Sequence, residues 1–110
     1  MKTNKVIIYQ LDGQRTEENV VRNVLFEEYE RAKEYLKRAY YRAVYTTEMA
    51  ITKQIERVMD DLFIQFNVNR PTNFKGHSLS IGDVIYVENY GYYYVNDFGF
   101  KKINETDTNF

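Results

Sequence analysis

Phe74-Lys75-Gly76-His77-Ser78-Leu79-Ser80-Ile81-Gly82-Asp83-Val84-Ile85, followed by Gly91-Tyr92-Tyr93-Tyr94-Val95-Asn96-Asp97-Phe98-Gly99-Phe100, decides the fold class. In the first stretch, glycines and serines surround two isolated apolar residues, Leu79 and Ile81. That pattern predicts a tight loop pinned to a core, with Gly82-Asp83 turning into a strand. Val84-Ile85-Tyr86-Val87 and Tyr92-Tyr93-Tyr94-Val95 are β-branched and aromatic, and Glu88-Asn89-Tyr90-Gly91 between them predicts a hairpin. Just upstream, Ile55, Val58/Met59, Leu62 and Phe66 recur at helical spacing. Lys53, Glu56, Arg57, Asp60 and Asp61 fall on the other side. The spacing predicts a helix from about Thr52, as N-cap, to Asn67, which Pro71 prevents from continuing.

Farther out, Lys5 to Leu11 ends at Asp12-Gly13 and predicts a strand and a turn. Its apolar residues leave little alternation, which suits an interior strand covered on both faces. Residues 17–40 read two ways. Val21, Val24/Leu25, Tyr29, Ala32, Leu36 and Ala39 allow one long amphipathic helix. Glu27 and Glu28 near a first turn, with Lys37 and Arg38 in a last, favour a shorter helix from about Glu27. Tyr41 to Tyr45 suits a short strand, and residues 104–110 are polar and expected to fray. The sum is one domain over residues 1–110. It is expected to be α+β, with a small, largely antiparallel sheet against one or two helices and a C-terminal β-hairpin.

The totals agree with an ordinary globular chain. Its 110 residues are 44% hydrophobic and 28% charged, and Lys+Arg 15 against Asp+Glu 16 gives a formal charge of -1. A strongly basic nucleic-acid binder or an acidic nucleic-acid mimic would show a larger imbalance. There is no cysteine, hence no disulfide, thiolate nucleophile or Cys-ligated zinc. The apolar run Val6 to Tyr9 is too short for a signal-peptide core, and no stretch approaches a membrane span. A cytoplasmic location and no membrane partner are expected.

Motif by motif, the chemistry thins out. Gly76-His77-Ser78-Leu79-Ser80 resembles a nucleophile elbow but carries Ser80 where the elbow needs a small glycine. The chain's one histidine, His77, is directly beside Ser78, whereas a Ser-His-Asp triad needs its histidine to approach from elsewhere. The favoured reading of His77, Ser78, Ser80 and Asp83 is structural: serines bonding nearby backbone, and Asp83 accepting N–H groups to fix a turn. One histidine excludes the common His-based metal sites, and the carboxylates are scattered. The glycines form no phosphate-binding loop. No cofactor, metal or catalytic residue is expected.

Tyrosine is the outlier, at 11 residues. Strand alternation puts Tyr93 and Val95 on one face with Ile85 and Val87, and Tyr92 and Tyr94 on the other with Val84 and Tyr86. Tyr86, Tyr92 and Tyr94, with Tyr90 at the hairpin tip, then form one aromatic surface suited to protein recognition or base stacking. The bland alternative is that a helix or the Tyr40-Tyr41 segment covers it. Lys33, Lys37 and Arg42, with Arg31 and Arg38, supply a basic cluster. Glu34–Arg38 is its one well-spaced intrahelical pair, and Lys33 and Lys37 lack such compensation.

These motifs resemble the YodL-like family of small bacterial domains, found in chromosomes and mobile elements of low-GC Gram-positive bacteria. The shared pattern is Phe66-Asn67, Pro71, the Phe74 to Ser80 run, Asp83-Val84 and Gly99-Phe100. Val6 to Leu11 and Val44-Tyr45 also fit it, so the resemblance spans most of the chain. Gly82 departs from the pattern, where a small polar residue is usual. The resemblance also implies an extended piece through Val24-Leu25-Phe26 before the Glu27 helix, and it brings no settled activity.

The expected function is a non-enzymatic protein-binding module of a mobile element or phage, acting through the tyrosine face and the basic cluster. A narrower form is a stoichiometric, anti-CRISPR-like inhibitor of a host defence protein, such as a type II CRISPR nuclease or its guide complex. The alternative is a single-stranded nucleic-acid-binding accessory protein of a conjugative element. Further readings are an enzyme built on His77, Ser78 and Asp83, and a homodimer through the tyrosines.

Overall fold

The computed structural model describes the chain apart from residues 1, 15, 25, 26, 69–71, 73, 75, 97, 98 and 105–109. Five strands form one antiparallel sheet: β1 (Asn4–Leu11), β2 (Tyr41–Met49), β3 (Val84–Val87), β4 (Gly91–Val95) and β5 (Phe100–Lys102). Their spatial order is β2-β1-β3-β4-β5. β1 is therefore interior, as its continuous apolar run predicts. The hairpin forms as expected, with Tyr86 opposite Tyr92 and Ile85 opposite Tyr93. At its tip Asn89 adopts φ 71, and Gly91 φ 112, backbone that asparagine and glycine adopt most readily.

Helices cover both faces. α3 (Ile55–Val68) buries Val58, Met59, Leu62 and Phe66 against Val6, Ile8, Ile85, Val87, Tyr93 and Val95. Each such side chain contributes about 1.5–3 kcal/mol of burial. Its first-turn amides bond to the Gln54 carbonyl, so the helix begins later than a Thr52 cap implies. On the opposite face, α1 (Glu18–Val24) and α2 (Tyr29–Ala32) bring Val20, Val24, Tyr29 and Ala32 onto Tyr9, Tyr41, Val84 and Tyr94.

Residues 27–40 do not form one helix. α2 lasts four residues and passes into 3-10 turns at Lys33–Tyr35 and Arg38–Tyr40, with Leu36 extended between them. Short helices have little stability of their own, and packing decides here: the break buries Leu36 and carries Arg38 to within 4.0 Å of the Tyr9 ring centroid. The extended piece expected through Val24-Leu25-Phe26 is helix at Val24, and its other two residues lie outside the described ones. So do Arg70 and Pro71, where the helix-stop signal falls.

β2 is longer than the expected Tyr41–Tyr45, because it pairs along the whole of β1. A bulge between Ile8 and Tyr9 sets Ile8 opposite Tyr45 and Tyr9 opposite Ala43, leaving Val44 as the extra residue. One inserted residue inverts the strand's alternation. Tyr41 can thus face α1 and α2, while Tyr45 faces α3 and meets Phe66 (5.2 Å) and Phe74 (6.1 Å).

The closing Gly99-Phe100 leads into a fifth strand that the two-strand hairpin expectation did not include. Its two hydrogen-bonded neighbours are Gly99, whose carbonyl accepts from Asn96, and Ile103, whose N–H donates to Tyr92. The tail is not frayed where it is described. Asn104 donates its N–H to the Tyr29 hydroxyl, and the Phe110 ring packs edge-on to Tyr41 and Tyr92, 5.3 and 5.0 Å between centroids.

Tyr94 is fully buried beneath α1 and α2, and its one hydroxyl proton is shared between the carbonyls of Glu27 (2.5 Å) and Val24 (3.0 Å). Tyr94→Phe leaves these buried acceptors without their donor. We expect a loss of about 1–3 kcal/mol, read in urea unfolding as a lower midpoint at unchanged slope.

Candidate functional site

The loop that leaves α3 and enters β3 is built around two buried polar side chains, Gln10 and Asp83, each 1% exposed. Gln10 sits on the α3 side of β1, in step with Val6 and Ile8. Its amide Nε2 donates to the His77 carbonyl (2.9 Å) and to Asp83 Oδ2 (3.0 Å), and its Oε1 accepts from the His77 N–H (3.1 Å). One side-chain amide thereby holds a loop residue by both backbone groups, much as a strand would. Gly76 is required next to it. A Cβ there would stand 2.1 Å from Gln10 Oε1 and 3.1 Å from Val44 Cβ.

Asp83 closes the same unit. Its Oδ2 also accepts the Ser80 N–H (2.9 Å), while its own N–H donates to the Ser80 carbonyl (3.1 Å). Leu79 enters the α3-side core, and the Tyr41 hydroxyl donates to the Gly82 carbonyl (2.6 Å). Burial raises the Asp83 carboxyl from the ordinary 3.8 to about 7, against the opposing effects of the Ser80 N–H, the His77 charge and the Gln10 amide.

His77 itself is exposed. Its Nδ1 lies 2.7 Å from the Ser78 carbonyl oxygen, so that nitrogen carries the proton and donates. Ser78 is exposed, and no hydrogen bond joins its hydroxyl to His77 among the described residues. The arrangement does not activate a serine. The loop is held through Gln10 and Asp83 on the backbone of His77 and Ser80, whereas the expected bonds from the Ser78 and Ser80 hydroxyls to nearby backbone do not occur among the described residues. Among the described residues, no three His, Asp or Glu side chains converge as a metal site.

The aromatic surface divides. Tyr86 and Tyr92 are half-buried neighbours, rings 4.8 Å apart, on the α1/α2 side. Tyr92 also meets Tyr9 and Phe110. Burial raises its hydroxyl pKa, reinforced by Tyr9 and opposed by Arg38. Tyr94 leaves the surface for the core, where burial raises its pKa still further. Tyr90 packs with the α3-side cluster, because the hairpin tip turns it away from Tyr86.

The basic residues do not gather either. Lys33 is paired with Glu30 at 2.9 Å, and Lys101 of β5 also lowers that glutamate's pKa. Lys37 lies 5.7 Å from the centre of the Tyr40 ring. Arg42 stands on β2, at the other edge of the sheet, beside Asp12 and Gly13. The Glu34–Arg38 pairing gives way because Leu36 breaks the helix between them, and Arg38 donates to the Tyr41 carbonyl instead.

A different surface is open. Between α3 and the β4–β5 edge run adjoining cavities of about 490 and 340 Å³ that share Asp60, Gly99 and Phe100. Phe63, at 6.3 Å from Phe100, and Ile64 line the helix side with exposures of 38% and 60%, and Val68 at the end of α3 is 81% exposed. Sequence reasoning missed this groove. Its signal was the surplus of apolar residues on α3 beyond the stripe that one core needs.

The Asp83 shift has a definite sign. The folded chain keeps its proton between pH 3.8 and about 7 while the unfolded chain releases it, so stability contributed by Asp83 falls as pH rises through that window. Asp83→Asn imitates the neutral acid. Its melting temperature is expected to match the parent near the acid end and to exceed it above about pH 7, measured by thermal denaturation across pH.

No curated protein and no solved structure matches the chain. The family model described as YodL-like domain matches residues 5–105, from the second residue of β1 to just past β5. The Gly76-His77 clamp, the Asp83 turn and the closing Gly99-Phe100 strand all lie within that span, and the chain belongs to the YodL-like domain family.

Proposed function

We propose that the chain is a protein-binding module without catalytic activity, and that the groove between α3 and the β4–β5 edge is its contact surface. The observation that carries this reading is the open apolar side of α3. Phe63, Ile64 and Val68 remain solvent-facing on a helix that already buries Val58, Met59, Leu62 and Phe66 in the core. Contiguous exposed apolar surface beside a concave wall is the usual mark of a protein contact. The polar unit around Gln10 and Asp83 supports the non-enzymatic part, since its hydrogen bonds are spent on backbone groups of the loop.

A narrower form is a stoichiometric inhibitor of a host defence protein such as a type II CRISPR nuclease, carried by a phage or another mobile element. It requires the same kind of surface and differs in the identity of the protein bound. Binding to single strands is the second reading, favoured by the adjacent Tyr86 and Tyr92 rings with Arg38 nearby.

A tagged pull-down from a bacterial lysate separates them. One stoichiometric protein is expected to survive nuclease treatment and to disappear with Ile64→Lys, a substitution at an exposed site that leaves the melting temperature within a few degrees. Recovery of nucleic acid, with only nuclease-sensitive proteins and no effect of Ile64→Lys, would overturn the module reading in favour of single-strand binding.

A further inference from the structure

β5 is the outermost strand next to the groove, and among the described residues its backbone is open on one side. The Gly99 carbonyl accepts from Asn96, just past β4, the Ile103 N–H donates to Tyr92 of β4, and Lys101 stands opposite Tyr94. Backbone groups alternate in direction along an antiparallel strand, so the N–H and C=O of Phe100 and Lys102 point away from β4. They have no hydrogen-bond partner among the described residues. The side chains alternate as well. Phe100, opposite Val95, and Lys102, opposite Tyr93, lie on the α3 side, whereas Lys101 shares the other face with Tyr94.

A strand added here would lie about 4.8 Å beyond β5. Its residues opposite Phe100 and Lys102 would project into the groove beneath Phe63 and Ile64, and the one between them would stand beside Lys101. Lys101 and Lys102 are both exposed. A second copy of this chain is a poor occupant. The antiparallel self-pairing that uses both outward residues sets Lys101 against Lys101, and like charges directly opposite are destabilising.

We propose that β5 is a docking edge for an extended peptide segment of a partner protein, added as a sixth strand. The segment carries a carboxylate opposite Lys101 and apolar side chains on either side of it, which fill the groove. Main-chain bonds to Phe100 and Lys102 supply affinity, and the groove and Lys101 supply selectivity. This inference rests on the groove being a contact surface and adds the form of the ligand.

The test is a titration of the isotopically labelled protein, followed by amide NMR, with the capped hexapeptide Thr-Val-Asp-Phe-Thr-Ser and its Asp→Lys version. Shifts are expected at Phe100, Lys101, Lys102 and Ile64 with the acidic peptide and not with the lysine one. Lys102→Pro removes an outward N–H while sparing the ladder to β4, and proline is tolerated on edge strands. It is expected to abolish the shifts with the rest of the spectrum in place. No shift at β5 up to about 1 mM peptide, the weak limit of useful affinity, overturns the proposal. So does binding that survives Lys102→Pro, or a doubled mass in sedimentation that Lys101→Glu alters. Peptide binding lost with Ile64→Lys but kept with Lys102→Pro retains the groove and removes strand addition. An Ile64→Lys variant without effect on either peptide or lysate capture removes the contact surface itself.

Discussion

The structure depends on one side chain, Gln10. It sits on an interior strand and reaches a loop 67 residues away, bonding both backbone groups of His77 and the buried carboxyl of Asp83. A buried amide is costly unless its donors and acceptor find partners. Here the partners are three groups on two residues of one loop, His77 and Asp83, so the amide is satisfied only when the loop is in place. The constraint also runs the other way. The loop has few apolar anchors, Phe74 and Leu79 chief among them, and without the amide its backbone groups would need water.

Around that clamp the chain solves a packing problem posed by a two-sided sheet. A strand covered on both faces needs apolar residues at odd and even positions, which β1 supplies with Val6 and Ile8 on one side and Ile7, Tyr9 and Leu11 on the other. β2 meets the same demand with fewer apolar residues by using a bulge. Val44 is inserted, and Tyr41 and Tyr45, which simple alternation would place together, part to opposite cores. The tyrosines thus serve as large core side chains with a polar end. Tyr29, Tyr41 and Tyr94 each bring a hydroxyl to a backbone group of another segment.

What the sequence discloses follows from this economy. The hairpin, α3 and the interior place of β1 are legible because each depends on a local pattern of apolar residues and turns. The face assignments of Tyr92, Tyr93 and Val95 follow from alternation alone. Which of two apolar faces receives a cover is set by distant segments, so Tyr94 reads equally well as surface or core until α1 is placed above it. The 27–40 segment misleads for a related reason: its helical spacing is genuine, yet Leu36 gains more from burial in an extended conformation. The Asp83 turn is visible in its residue types, whereas its tie to Gln10 is a long-range contact that no local pattern carries.

The strand order has a consequence for how the chain is made. β1 lies between β2 and β3, and β3 is separated from it by most of the polypeptide. During synthesis, β1 and β2 can pair while one side of β1 still has no neighbour, a long apolar edge of the kind that recruits other chains. Only when residues 84–87 arrive is that edge closed, in the same event that brings Asp83 to Gln10. Assembly is then dominated by contacts between distant residues, the regime of slow, strongly cooperative folding. A nascent or proteolysed chain ending before β3 is therefore an aggregation hazard.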